Sequence, residues 1–200
     1  MDTVGEQTRT QSAAASEFTP ARTIVLVGLM GAGKSKIGRR LAARLGLPFF
    51  DSDYEIEAAA GESIEEIFQR HGEAAFRDGE RRVIARLLRQ PVHVLATGGG
   101  AFMDPQTRAV IAQRGVSVWL RAELDVLLAR VSRRNNRPLL QQRDSRAVLT
   151  ELIERRHPIY AEADVTIDSG EGPPDATATR VIAALTATPR AILPAQPERQ

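Results

Sequence analysis

The sequence predicts a single α/β domain: a parallel sheet of five strands with helices on both faces. Three observations carry this expectation. Short apolar runs that read as buried strands alternate with helical stretches of a dozen residues or more, the length that parallel crossovers need. The first run, Thr23-Ile24-Val25-Leu26-Val27, passes straight into a glycine-rich loop and then a helix. And 200 residues with 42% hydrophobic content suffice for one sizeable core, but not for two ordinary domains with linkers.

Taken in order, residues 1–22 are rich in Ser, Thr, Ala and Gln, carry Asp2, Glu6 and Glu17, and lack an apolar stretch. They read as a disordered leader and not as a secretory signal or transit peptide. The loop that follows the first strand, Gly28-Leu29-Met30-Gly31-Ala32-Gly33-Lys34-Ser35, has the spacing G-x-x-x-x-G-K-[ST]. In that arrangement the backbone N–H groups of Met30, Gly31, Ala32 and Gly33 turn inward around phosphate oxygens, and the positive end of the next helix points at them. Lys34 would reach the β- and γ-phosphates of ATP, and the Ser35 hydroxyl would ligate the bridging Mg²⁺. Ile37, Leu41 and Leu45 then repeat at helical spacing, and Gly46 stops the helix.

Pro48-Phe49-Phe50-Asp51 is a short second strand, and Asp51 and Asp53, flanking Ser52, stand at its carboxyl end, where ligands of open α/β sheets bind. Residues 54–90 read as helical with breaks at Gly61 and Gly72, a capping box at Ser63 and Glu66, and an apolar face of Val83, Ile84, Leu87 and Leu88. Arg77 and Glu80 lie one turn apart, an ordinary surface ion pair being the competing reading. The third strand, 92–96, runs into Thr97-Gly98-Gly99-Gly100. Glycines there let backbone approach a ligand closely, or else form a flexible turn. His93, isolated on a buried strand, reads as a packed core residue.

Asp104 and Pro105 open a helix ending near Gly115, residues 116–120 form a fourth strand, and Leu124, Leu127, Leu128 and Val131 line the following helix. Residues 130–146 hold Arg130, Arg133, Arg134, Arg137, Arg143 and Arg146. They suit a mobile lid that closes over phosphates, with a solvated surface loop as the alternative. Residues 148–156 are helical, Pro158 kinks or restarts the chain, 164–168 make the fifth strand and 175–186 the last helix. The domain is thus expected over 23–187, with a disordered, proline-containing tail at 188–200.

Composition removes several function classes. There is no cysteine, hence no disulfide and no thiolate-bound metal, and no run approaches the roughly 18 apolar residues of a membrane helix. A cytoplasmic, monomeric protein that binds no membrane is expected. Lys34 and Lys36 are the only lysines among 27 basic residues, but the arginines are spread along the chain and balanced by 25 acids. That distribution argues against nucleic acid as a partner. Phosphoryl transfer instead needs a clamped donor, neutralised charge and an acceptor oxygen in line. Asp53 is the candidate to orient and deprotonate an acceptor hydroxyl, Asp51 to hold a Mg²⁺-bound water, and Arg137 to meet charge developing between the β- and γ-phosphates. Val94-Leu95-Ala96 runs into Thr97 and glycines and not into the usual Walker-B aspartate, so metal ligation rests on Ser35, Asp51 and water.

Taken together, Gly28-Leu-Met-Gly-Ala-Gly-Lys-Ser35, Asp51-Ser-Asp53, Phe76-Arg77-x-x-Glu80, Gly98-Gly-Gly100, Arg137-Pro-Leu-Leu140 and Glu154-Arg-Arg156-x-Pro-x-Tyr160 resemble the shikimate kinase family. The loop alone occurs in many nucleotide-binding families, whereas the ordered set is specific. The resemblance implies a three-layer α/β/α P-loop fold like that of nucleoside monophosphate kinases, with substrate-binding helices. It also implies transfer of the ATP γ-phosphate to the 3-hydroxyl of shikimate on the chorismate route to aromatic amino acids. By position it makes Asp53 the hydroxyl-binding acid, Arg77 and Arg156 the carriers of the shikimate carboxylate, and Gly98, Gly99 and Gly100 the glycines beside the substrate. It makes Arg137 the lid arginine on ATP and Arg130 the one packed on adenine. A gluconate kinase of the same fold and a regulatory nucleotide-binding protein are the alternatives.

Overall fold

A computed structural model of the chain describes residues 18–132, 144–170 and 172–194. Five parallel strands, β1 (Thr23–Val27), β2 (Phe49–Asp51), β3 (Val94–Ala96), β4 (Gly115–Arg121) and β5 (Val165–Asp168), make one sheet in the order β2-β3-β1-β4-β5. β1 is central and wholly buried, which is why its sequence reads as an unbroken apolar run. From β1 the chain winds first toward β2 and β3, then crosses to β4 and β5. The reversal opens a crevice outside the carboxyl ends of the strands, and the glycine loop after β1 lies there.

Helix α1 (Lys34–Leu45) starts from Gly33 at φ 94° and ends at Gly46 at φ 64°, whose N–H bonds the Ala42 carbonyl. Its buried face, Ile37, Gly38, Leu41 and Ala42, lies on the sheet. A methyl at Gly38 would stand 2.5 Å from the Phe49 ring and 3.1 Å from Leu26. Alanine in a helix interior usually gains about 1 kcal/mol over glycine, but here overpacking of about 1–3 kcal/mol opposes it. Gly38→Ala is therefore expected to lower the stability by about 1 kcal/mol, read from chemical denaturation. A stabilised variant would contradict this packing.

Helix α2 (Ser52–Ala60) ends at Gly61, and α3 (Ile64–Leu87) carries the expected capping box and a non-helical Gly72 at φ 78°. In the box the Ser63 N–H donates to Glu66 Oε2 at 2.8 Å and the Glu66 N–H to Ser63 Oγ at 3.2 Å. A 3₁₀ turn (Ala101–Met103) leads to α4 (Pro105–Arg114), capped by the Asp104 carboxylate. α5 (Leu124–Ser132), α6 (Ser145–Tyr160) and α7 (Pro174–Thr186) follow. His93 is fully buried with its ring edge against Phe50, and burial depresses its pKa. It is a core residue, as its isolation predicts.

Two expectations are corrected. Pro158 does not restart the chain: α6 runs through it to Tyr160, since a proline in the last turn removes only one helical hydrogen bond. The expected tail is ordered at its beginning, with a short helix α8 (Pro189–Ile192) and a fully buried Ala191. The end of the expected leader meets it. Ala21 N–H donates to the Ala191 carbonyl at 2.8 Å, and Arg22 donates to the carbonyls of Leu193, Gln113 and Pro194 at 2.9–3.0 Å. Four helical residues are too few for a periodic pattern, and such long-range ties leave no local signal. The remainder of both segments, 1–17 and 195–200, lies outside the described residues. Among the described residues no helix is long and apolar enough to cross a membrane.

Candidate active site

The loop between β1 and α1 is a tight backbone ring. Gly28, Gly31 and Gly33 have φ of 134°, 82° and 94°, a region open mainly to glycine. Lys34 folds over the loop and donates to the carbonyls of Gly28 and Leu29 at 2.7 and 3.0 Å. Ser35 Oγ donates to Asp51 Oδ2 at 2.6 Å. The other oxygen of Asp51 accepts the Asp53 N–H at 3.2 Å, capping α2. Ser52, between the two acids, is buried and accepts the Gly98 N–H at 2.9 Å. The end of β2 is thereby tied both to the loop and to the glycines after β3.

Those glycines form the floor of a cup. A methyl at Gly98 would stand 2.7 Å from Asp53 Oδ1 and 2.8 Å from Glu80 Oε1, and one at Gly100 would stand 2.6 Å from Arg77 Nη1. Arg156 Nη1 donates to the Gly99 carbonyl at 2.9 Å. Asp53 from α2, Arg77 and Glu80 from α3, and Arg156 from α6 thus meet around three consecutive residues. Met30 borders the same place, its N–H nitrogen 3.5 Å from a methyl at Gly99. Arg155, the other arginine of the pair, pairs with Glu151 at the surface.

Arg77 Nη1 donates to Glu80 Oε2 at 2.7 Å, and Glu80 is only 4% exposed. Burial pushes the Glu80 carboxyl up, partly offset by the bond from Arg77 and reinforced by the charge of Asp53. Among the described residues its Oε1 has no hydrogen-bond partner, and it lies against Gly98. Sequence spacing marks Glu80 as the partner of Arg77 without placing it in the cup. A signal was present: Glu80 falls on the buried stripe of Phe76, Val83, Ile84 and Leu87.

Arg130 lies against the loop, donating to Gly31 O at 3.3 Å, to Ser169 Oγ at 3.1 Å and to the Gly170 carbonyl. Ser169 Oγ in turn donates to Ala32 O at 2.7 Å, so the end of β5 buttresses the loop. Arg137 and the rest of 133–143 lie outside the described residues. Beyond β3, Thr97 bonds the Leu26 carbonyl at 3.1 Å where other nucleotide-binding sheets carry an acid. Among the described residues no cluster of three or more His, Cys, Asp or Glu side chains could hold a metal. The hard oxygens of Ser35 and Asp51 suit a Mg²⁺ that takes its other ligands from phosphate and water.

Comparison with known proteins decides the lineage. The shikimate kinase family profile matches residues 30–186. The chain belongs to the shikimate kinase family. Among curated family members, a shikimate kinase of Caulobacter vibrioides is 61% identical over 165 residues, 82% of each chain. One of Paramagnetospirillum magneticum is 63% identical over 164 residues, 82% of this chain and 84% of that one. The solved shikimate kinase from Acinetobacter baumannii in complex with shikimate superposes with a TM-score of 0.82 at 39% identity, covering 88% of this chain and 98% of that chain. Membership makes this chain an ATP-dependent small-molecule kinase, and the parallel sheet and P-loop are those of the family.

Proposed function

We propose that this kinase transfers the γ-phosphate of ATP to the 3-hydroxyl of shikimate, giving shikimate 3-phosphate and ADP for aromatic amino acid biosynthesis. The observation that carries the substrate is the convergence of Asp53, Arg77 and Arg156 on the Gly98–Gly100 corner. Two guanidinium groups from separate helices can grip one carboxylate in charge-assisted bonds, leaving the ring hydroxyls toward Asp53. Asp53 takes the hydroxyl proton as the acceptor oxygen bonds the γ-phosphorus, while the bond from that phosphorus to the bridging oxygen breaks and ADP leaves. Lys34 exchanges its loop carbonyls for the β- and γ-phosphate oxygens, and the N–H groups of residues 30–33 cradle the triphosphate.

Ser35 and Asp51 would hold Mg²⁺, directly or through water. When bound, the ion neutralises charge across the β- and γ-phosphates. We assign Arg137 to the triphosphate and Arg130 to the adenine side on the family resemblance, and residues 23–187 to the kinase domain, acting as a cytoplasmic monomer.

The deciding test is ADP release with shikimate against gluconate as acceptor: strong preference for shikimate is expected, and equal turnover or a preference for gluconate would overturn the assignment. Arg77→Lys keeps the charge near Glu80 but loses the planar fork. It should raise KM for shikimate by about tenfold, the worth of one charge-assisted hydrogen bond, and leave KM for ATP within about twofold. An unchanged shikimate KM would remove Arg77 from the carboxylate site.

A further inference from the structure

Three consecutive glycines have no Cβ to restrain them, yet the cup needs its floor fixed before substrate arrives. Two buried hydroxyls that the reaction itself does not use grip this segment from opposite sides. Ser52 Oγ accepts the Gly98 N–H at 2.9 Å from within α2. The Tyr160 hydroxyl, at the end of α6, donates to the Gly99 carbonyl, which also accepts Arg156 Nη1 at 2.9 Å. Both Ser52 and Tyr160 are fully buried. The Tyr160 ring is stacked toward Trp119 at 5.9 Å and toward Phe102 at 6.4 Å between centroids, so the phenol has little freedom to swing away. Burial pushes its pKa up to about 12, so the phenol remains a neutral donor.

We propose that Ser52 and Tyr160 are positioning residues that hold the Gly98–Gly100 corner in its substrate-binding shape, Tyr160 acting through the Gly99 carbonyl. The proposal rests on the reading of this corner as the shikimate site. Arg156 has two tasks there, bonding the carbonyl and gripping the acid, and an arginine drawn toward a carboxylate loosens its hold on the peptide. Tyr160 carries no charge to be drawn toward the acid, so it keeps the carbonyl fixed through that change. Because the peptide is planar and trans, fixing the Gly99 carbonyl also fixes the Gly100 N–H on the other side. Ser52 anchors the preceding residue, and the intervening torsions have little room left.

The test uses the full chain with Tyr160→Phe and Ser52→Ala. Each is expected to raise KM for shikimate by about 3- to 10-fold, the effect of one neutral hydrogen bond, with kcat and KM for ATP within about twofold. In a double-mutant cycle, Tyr160→Phe and Arg156→Lys should not raise KM by the simple product of their separate effects, because both bond the Gly99 carbonyl and they touch each other. A merely structural role would lower the melting temperature and leave KM unmoved. Should either variant be thermally weak, shikimate affinity is measured by calorimetry at a temperature where its circular dichroism matches the parent. Unchanged shikimate affinity in either variant, or strict multiplicativity in the cycle, overturns the proposal. Parent enzyme that fails to prefer shikimate overturns the substrate reading instead, so the two failures are told apart.

Discussion

Asp53→Asn is expected to lower kcat by about 10²–10⁴-fold, the usual contribution of a positioned general base, while ATP affinity stays within about twofold. The substitution keeps the shape of the side chain. It also leaves the start of α2 intact, because the capping bond uses the backbone N–H of residue 53 and the carboxylate of Asp51. Lys34 donates to the Gly28 and Leu29 carbonyls and Ser35 to Asp51, and these bonds are kept. What is lost is the acceptor for the hydroxyl proton, so the deficit should sit in turnover and not in nucleotide binding. Single-turnover phosphate transfer together with nucleotide titration separates the two. Turnover near the parent level would take the base away from Asp53.

Gly98→Ala is expected to cost about 100-fold in kcat/KM while the protein stays folded, because displacing a reacting group by about an ångström has that scale of effect. Gly98 has no left-handed φ, so alanine fits the backbone and the N–H bond to Ser52 can persist. The added methyl meets Asp53 Oδ1 at 2.7 Å and Glu80 Oε1 at 2.8 Å. Glu80 is buried and bonded to Arg77, so the exposed Asp53 must give way. The expected signature is a melting temperature close to that of the parent with activity mostly gone. Near-normal kcat/KM would mean that the floor of the cup lies farther from the acid than these distances imply.

Much of the fold was legible because a parallel sheet buried on both faces leaves nearly unbroken apolar runs, as in Thr23–Val27 and, interrupted by Ser117 alone, residues 116–120. Helix starts were equally plain where side chains cap them, at Ser63 with Glu66 and at Asp104 with Pro105. Pro158 misled because proline breaks helices in their middle, whereas here it sits in the last turn. Candidate site residues could be named as well, Lys34, Ser35, Asp51 and Asp53 from the loop motif and the end of the second strand, Arg77 and Arg156 from the family resemblance. Ser52 and Tyr160 lay within the quoted motifs yet drew no role, since a hydroxyl that bonds a distant glycine backbone looks locally like any other. Of the two neighbouring arginines, Arg156 reaches the glycine corner while Arg155 pairs with Glu151 at the surface.

The central place of β1 in the strand order has a consequence for how the molecule is made. The strand leaves the ribosome first, yet both neighbours that will flank it, β3 and β4, are synthesised many residues later. For that interval its hydrogen-bonding edges and apolar side chains have no native partner, and the contacts that eventually satisfy them span long stretches of sequence, a topology that slows folding. β1 therefore waits until residues 94–121 have been made before its flanking strands exist, and of the five strands it is the one that stays longest without both of its native neighbours.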